Sequence, residues 1–213
     1  MRKQFTTILL FAFTVSFAQN DSILSRLRAI NNNGVSYFNI DGCTITSQTL
    51  NYPFTEKGLK KIYRKYSIKN NEEKRKDEQL VYNNYVENDD DITDTLVQNN
   101  TYYFITNQDK RITIVQFSSI NKRDKEFERK IVKPIIEKKI PKENYVSMRI
   151  DSINFAGRKI KLGNSCNWTN VNTVQCPYYG EMNWSVHKYL KDAENTVEQQ
   201  FALTKSRKNG KVI

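Results

Sequence analysis

His187 is the single histidine of the 213-residue chain, and so the one side chain whose ordinary pKa lies near neutrality. Acid–base or nucleophilic work by His187 needs a carboxylate or a thiol within hydrogen-bond reach. Cys43 is the thiol candidate. It follows a tight turn, with no helix start or glycine-rich stretch beside it to lower a thiol pKa. The local sequence therefore offers a His187–thiol or His187–carboxylate pair but nothing that assembles one. The alternative is a structural or surface histidine.

A second cluster is acidic. Glu87-Asn88-Asp89-Asp90-Asp91-Ile92-Thr93-Asp94 gathers carboxylates, with Asp89, Asp91 and Asp94 as candidate ligands for a hard cation such as calcium. The run lacks the glycine and distal glutamate of the helical calcium loop, so its alternative is a solvated acidic loop balancing basic helices. One histidine and three cysteines do not supply a Cys/His zinc site, and no cofactor is implied.

The third cluster surrounds Cys166 and Cys176. Three pairings of the three cysteines each leave one thiol over. The ten-residue spacing and an Asn/Thr-rich intervening segment with little core of its own favour Cys166–Cys176, leaving Cys43 free. Closing a loop of that size contributes about 3 kcal/mol on the chain-entropy account. Trp168 lies between the cysteines, and Tyr178 and Tyr179 follow them. Aromatic faces beside amides suit stacking on sugars or flat ligands, so Trp168, Tyr178 and Tyr179 are candidate ligand contacts on a preorganised loop. The alternative is that such rings cap the end of a small sheet, the role expected of Trp184.

Disulfides require an oxidising compartment, and the first residues address that. Arg2 and Lys3 precede the apolar run Ile8–Val15. Ser16-Phe17-Ala18 then places small residues where a signal peptidase needs them. The apolar run is shorter than the roughly 20 residues that span a bilayer. Residues 1–18 read as a cleaved leader, with the mature chain secreted or periplasmic and free of a transmembrane span. Absence of a Cys after Ala18 excludes a lipid anchor at that point.

The elements that must position these residues follow from periodicity. Asp21 can cap a helix placing Ile23, Leu24, Leu27 and Ile30 on one face. Val35–Ile40 and Cys43–Thr46 flank Asp41-Gly42, a two-residue hairpin turn. Thr55 caps a helix to Tyr66 with Leu59, Ile62 and Tyr63 inward and lysines outward. Lys69–Glu78 reads as an exposed loop. Leu80–Val86 and Ile92–Val97 read as strands, and Thr101–Thr106 with Arg111–Phe117 as a central hairpin. A charged helix over Arg123–Lys139 buries Ile131, Val132 and Ile135 and contains Pro134. Met148–Phe155 and Arg158–Leu162 form a hairpin at Ala156-Gly157. Glu181–Val186 is a half-buried strand, and a helix over Lys188–Leu203 aligns Leu190, Ala193, Val197 and Phe201.

The expected fold is α+β: a mainly antiparallel sheet of hairpins with three to four amphipathic helices packed on it. Residues 19–204 form a single domain and 205–213 a basic tail. Mean hydropathy of −0.70 with 38% hydrophobic residues describes a folded chain rather than a multi-span membrane protein. A net charge of +11 attracts anions but comes without a nucleic-acid motif, so nucleic acid is not an expected partner. No phosphate-cradling glycine loop, Gly-x-Ser-x-Gly elbow or His-Glu-x-x-His helix is present. The reading leans away from an enzyme, toward an exported binding protein with a protein or glycan partner, taken through loop 166–180. Its alternatives are a small secreted hydrolase or toxin using His187, and an envelope protein docking on an anionic surface polymer.

Overall fold

The computed structural model describes residues 23–68, 74–76, 83–93, 96–177 and 180–206. The expected leader, Tyr178, Tyr179, Asp94 and most of the basic tail lie outside the described residues. Seven strands form one antiparallel sheet: β1 (Arg28–Asn32), β2 (Val35–Ile40), β3 (Cys43–Pro53), β4 (Lys74–Lys76), β5 (Asn83–Thr93), β6 (Leu96–Thr106) and β7 (Arg111–Ile120). Their spatial order is β1-β2-β3-β7-β6-β5-β4. Four more, β8 (Arg149–Phe155), β9 (Arg158–Asn170), β10 (Thr173–Cys176) and β11 (Gly180–Asn183), form a second sheet in the order β11-β10-β9-β8. With helices α1 (Glu56–Lys65), α2 (Lys125–Ile136) and α3 (Leu190–Ser206), the fold is broadly α+β. None of these helices is long and apolar enough to cross a membrane.

Turn chemistry sets the register. Asp41-Gly42 and Ala156-Gly157 place both residues at positive φ, 49° and 83° in the first and 50° and 78° in the second, the geometry that matches the twist of paired strands. Thr55 caps α1 by accepting from the Gly58 N–H at 3.2 Å, and Asp124 caps α2 by accepting from the Phe127 N–H at 3.1 Å. Pro134 falls in the last turn of α2, which ends two residues later.

Helices α1 and α2 close opposite faces of the large sheet. On one face, Ile131, Val132 and Ile135 of α2 join Phe38, Ile45 and Phe117 in a core. On the other, Leu59, Ile62 and Tyr63 of α1 pack on Leu50, Phe104 and Ile112. A third core joins the sheets: Ile30 of β1 packs with Ile153, Trp168, Val171, Val174 and the Cys166–Cys176 disulfide. Asn32 Nδ2 donates to the Thr169 carbonyl at 3.0 Å, and the Arg28 guanidinium lies 3.9 Å from the Trp168 ring centroid.

Several expectations are corrected. Residues 28–32 are strand, not the end of a helix, because Ala29 and Ile30 are wanted on opposite faces, one in the α2 core and one against the second sheet. The polar run at 69–78 contains β4, which pairs with β5. Asp89 and Asp91 stand in β5 rather than in a loop. The segment between the cysteines is the β9–β10 hairpin, with its own buried Val171 and Val174, and the disulfide joins its two strands. The strand expected over Glu181–Val186 stops at Asn183.

Candidate functional site

Cys43 begins β3, Glu128 lies one turn into α2, and His187 sits in the segment leading to α3. The fold brings all three to the lining of one cleft of about 70 Å³, with Asp124, Phe127 and Tyr189. The cleft depends on a backbone-to-backbone approach. A Cβ on Gly42 would stand 2.9 Å from the Lys188 nitrogen and 3.0 Å from the Val186 oxygen, so only glycine lets the β2–β3 turn abut the segment before α3. Asn121 fixes the same junction, donating from Nδ2 to Asp192 Oδ1 at 2.8 Å while its Oδ1 accepts from the Val97 N–H.

Glu128 is 4% exposed, on a helix whose charge pattern reads as solvated. Its Oε1 accepts from Thr101 Oγ1 and its Oε2 from Tyr103 OH, both at 3.0 Å. Burial pushes its carboxyl up to about 7, against the opposing pull of these hydrogen bonds and of Arg123. Arg123 clamps the start of α2 to the sheet: Nε donates to Thr101 Oγ1 at 3.0 Å, and the guanidinium also bonds Glu87 and Asp89. Asp89 is thus engaged by an arginine. Asp91 is exposed, and among the described residues no group of His, Cys, Asp and Glu is arranged to hold a metal ion.

Cys43 is half-buried and free of a disulfide, and burial followed by the nearby Glu128 pushes its thiol up to about 12. At neutral pH it is a thiol rather than the thiolate a nucleophile requires. His187 Nε2 lies 2.9 Å from Ser185 Oγ. The cleft therefore gathers a neutral thiol, a carboxyl that titrates near neutrality and an imidazole hydrogen-bonded to a serine.

The aromatic candidates part company. Trp168 is 2% exposed, with Trp184 edge-on at 5.5 Å and Arg28 over its ring, so it serves as core and offers no free face for stacking. Beside the cleft, α3 turns the other way from expectation. Leu190, Val197 and Phe201 are 76%, 68% and 54% exposed, while Asp192, Ala193 and Thr196 face the protein. Asp192, bonded to Asn121, holds α3 in that orientation. The exposed apolar surface continues through Tyr189 and Val186 to the rim of the cleft.

No protein-family description, curated protein or solved structure matches the chain.

Proposed function

We propose that the chain is an exported, non-enzymatic binding protein that captures a partner protein on the outward stripe of α3. The observation that carries this reading is the exposure of Leu190, Val197 and Phe201 on a helix whose polar side is turned inward. Leaving such side chains in water forgoes roughly 1.5–3 kcal/mol each, a cost that association would recover. Exposed Glu194 and Glu198 border the stripe at its centre and exposed Lys191 and Lys205 at its ends, so the fitting partner is an apolar segment flanked by charges of both signs. Photo-crosslinking from position 201 in the host envelope, followed by titration of the purified partner, tests it. The double variant Val197→Glu/Phe201→Glu is expected to weaken that complex at least tenfold; equal affinity for the variant refutes the assignment.

The hydrolase alternative draws support from the convergence of His187, Cys43 and Glu128 on one cleft. The raised thiol pKa and the bond from His187 to Ser185 weigh against it. Loss of an activity in both His187→Ala and Cys43→Ser would favour it. Docking on an anionic polymer draws support from α1, whose Lys57, Lys60, Lys61, Arg64 and Lys65 are all exposed, and would show as a steep fall in binding between low and physiological salt.

A further inference from the structure

Beside β1, the outermost strand of the large sheet, residues 24–28 and 141–146 enclose a cavity of about 510 Å³ whose lining includes Leu24, Arg26, Arg28, Pro141, Glu143 and Val146. That volume lies within the roughly 300–1,000 Å³ of small-molecule sites. Its two walls are tied to one another through main chain. Asn144 Nδ2 donates to the Leu24 carbonyl and to the Leu27 carbonyl, the latter at 2.7 Å, and the Val146 N–H donates to the Ala29 carbonyl at 3.0 Å. A solute entering the cavity therefore meets preformed walls.

One cation in this lining is uncommitted. Arg28 is half-buried with its guanidinium 3.9 Å from the Trp168 ring centroid, and among the described residues it forms neither an ion pair nor a hydrogen bond. A cation–π contact uses the charge and not the N–H donors, so these remain for an acceptor. None of the Arg28 nitrogens is sealed from water. Burial pulls its pKa below the ordinary arginine value with no carboxylate to offset the effect. Arg123, likewise half-buried, instead engages Glu87, Asp89 and Thr101.

We propose that this cavity binds a monocarboxylate with a small apolar body, its two oxygens on the fork of Arg28 and its hydrocarbon against Leu24, Pro141 and Val146. A planar guanidinium matches a planar carboxylate with two parallel hydrogen bonds. The charge balance of the lining favours a single negative charge over a phosphate: Arg26 is paired with Asp41 at 3.0 Å, and exposed Glu143 opposes any second charge. Val146 packs in the same core as Trp168, so the apolar wall and the stacked arginine stand together. The site is separate from the α3 stripe and from the His187 cleft.

Calorimetric titration of the purified chain at neutral pH and low salt with hexanoate, N-acetyl-leucine, hexanamide, acetate and inorganic phosphate tests the assignment. Hexanoate or N-acetyl-leucine is expected to bind, the tighter of the two showing whether a free acid or a peptide chain end is the source. Hexanamide, acetate and phosphate are each expected to bind at least tenfold more weakly. Arg28→Lys keeps charge and stem but loses the fork, and is expected to weaken binding about tenfold, while Arg28→Gln abolishes it. Glu143→Gln is expected to tighten binding about threefold, a gain that a folding defect cannot mimic. Val197→Glu/Phe201→Glu and His187→Ala are expected to leave it unchanged, so this reading and that of α3 fail separately. Failure of both apolar carboxylates to bind, or equal binding of hexanamide or phosphate, overturns the proposal. So does affinity untouched by both Arg28 variants in chains that retain their circular dichroism. Where those variants do not fold, unchanged affinity in Glu143→Gln overturns it.

Discussion

The two faces of the seven-stranded sheet solve the burial problem in opposite ways. Under α2, successive strands offer Phe38, Ile45, Val115, Phe117 and Tyr103, and the buried carboxyl of Glu128 in that layer is bonded at both oxygens. Under α1 the layer is apolar for half its length, through Leu50, Ile112, Ile114 and Phe104, and then becomes a row of amides and hydroxyls. The same strands supply both faces, so the difference lies in alternate residues alone. The lesson is that polar side chains are buried on both faces, Thr101 and Glu128 under α2 and Asn88 and Asn100 under α1, and that the faces differ in how far the apolar part extends.

That contrast can be broken most severely from the closed side. Phe117→Ala removes a ring 1% exposed and edge-on to Tyr103, and urea unfolding is expected to show a loss of about 3–5 kcal/mol. A smaller effect follows pH. From about 4.5 to about 7 the unfolded chain has released the Glu128 proton while the folded chain keeps it, so rising pH favours unfolding and stability falls across that window before levelling. The fall attributable to this group is roughly 3 kcal/mol, and Glu128→Gln is expected to abolish it when stability is measured across pH. On the polar side, Asn100→Ala strands Ser118, Gln116 and Asp90 and is expected to cost about 1–3 kcal/mol in the same unfolding assay. Least of all, Val197→Glu on the outward stripe of α3 is expected to shift stability by less than about 0.5 kcal/mol while weakening partner capture. A ranking in which Asn100→Ala exceeds Phe117→Ala would dissolve the distinction between the two faces.

Local chemistry was readable wherever it acts within a few residues. The Asp41-Gly42 and Ala156-Gly157 turns and the Thr55 cap announce themselves because positive φ and capping oxygens are demanded locally. Pairing of Cys166 with Cys176 was readable from spacing, but the hairpin between them was not, because Trp168, Val171 and Val174 find their core on β1 of the other sheet. Leu190, Val197 and Phe201 carried the right spacing with no sign of direction, since a helical stripe reports that one side differs and not which side faces in. Glu128 was hidden for a related reason: on a helix crowded with lysine and glutamate, one buried carboxylate looks like the rest until Thr101 and Tyr103 are placed opposite it. The row of Asn39, Thr44, Ser118, Asn100 and Asn88 is invisible in sequence because its members come from five strands and align only through register.

The seam at Gly42 joins main chain to main chain, and rigid peptide planes cannot rearrange as side chains do. A single methyl group added there would have to tilt everything beyond Val186, swinging the C-terminal helix as a gate swings on its post. The direction in which this molecule presents its greasy helix is therefore governed from a tight turn near the opposite end of the polypeptide, by the smallest residue available.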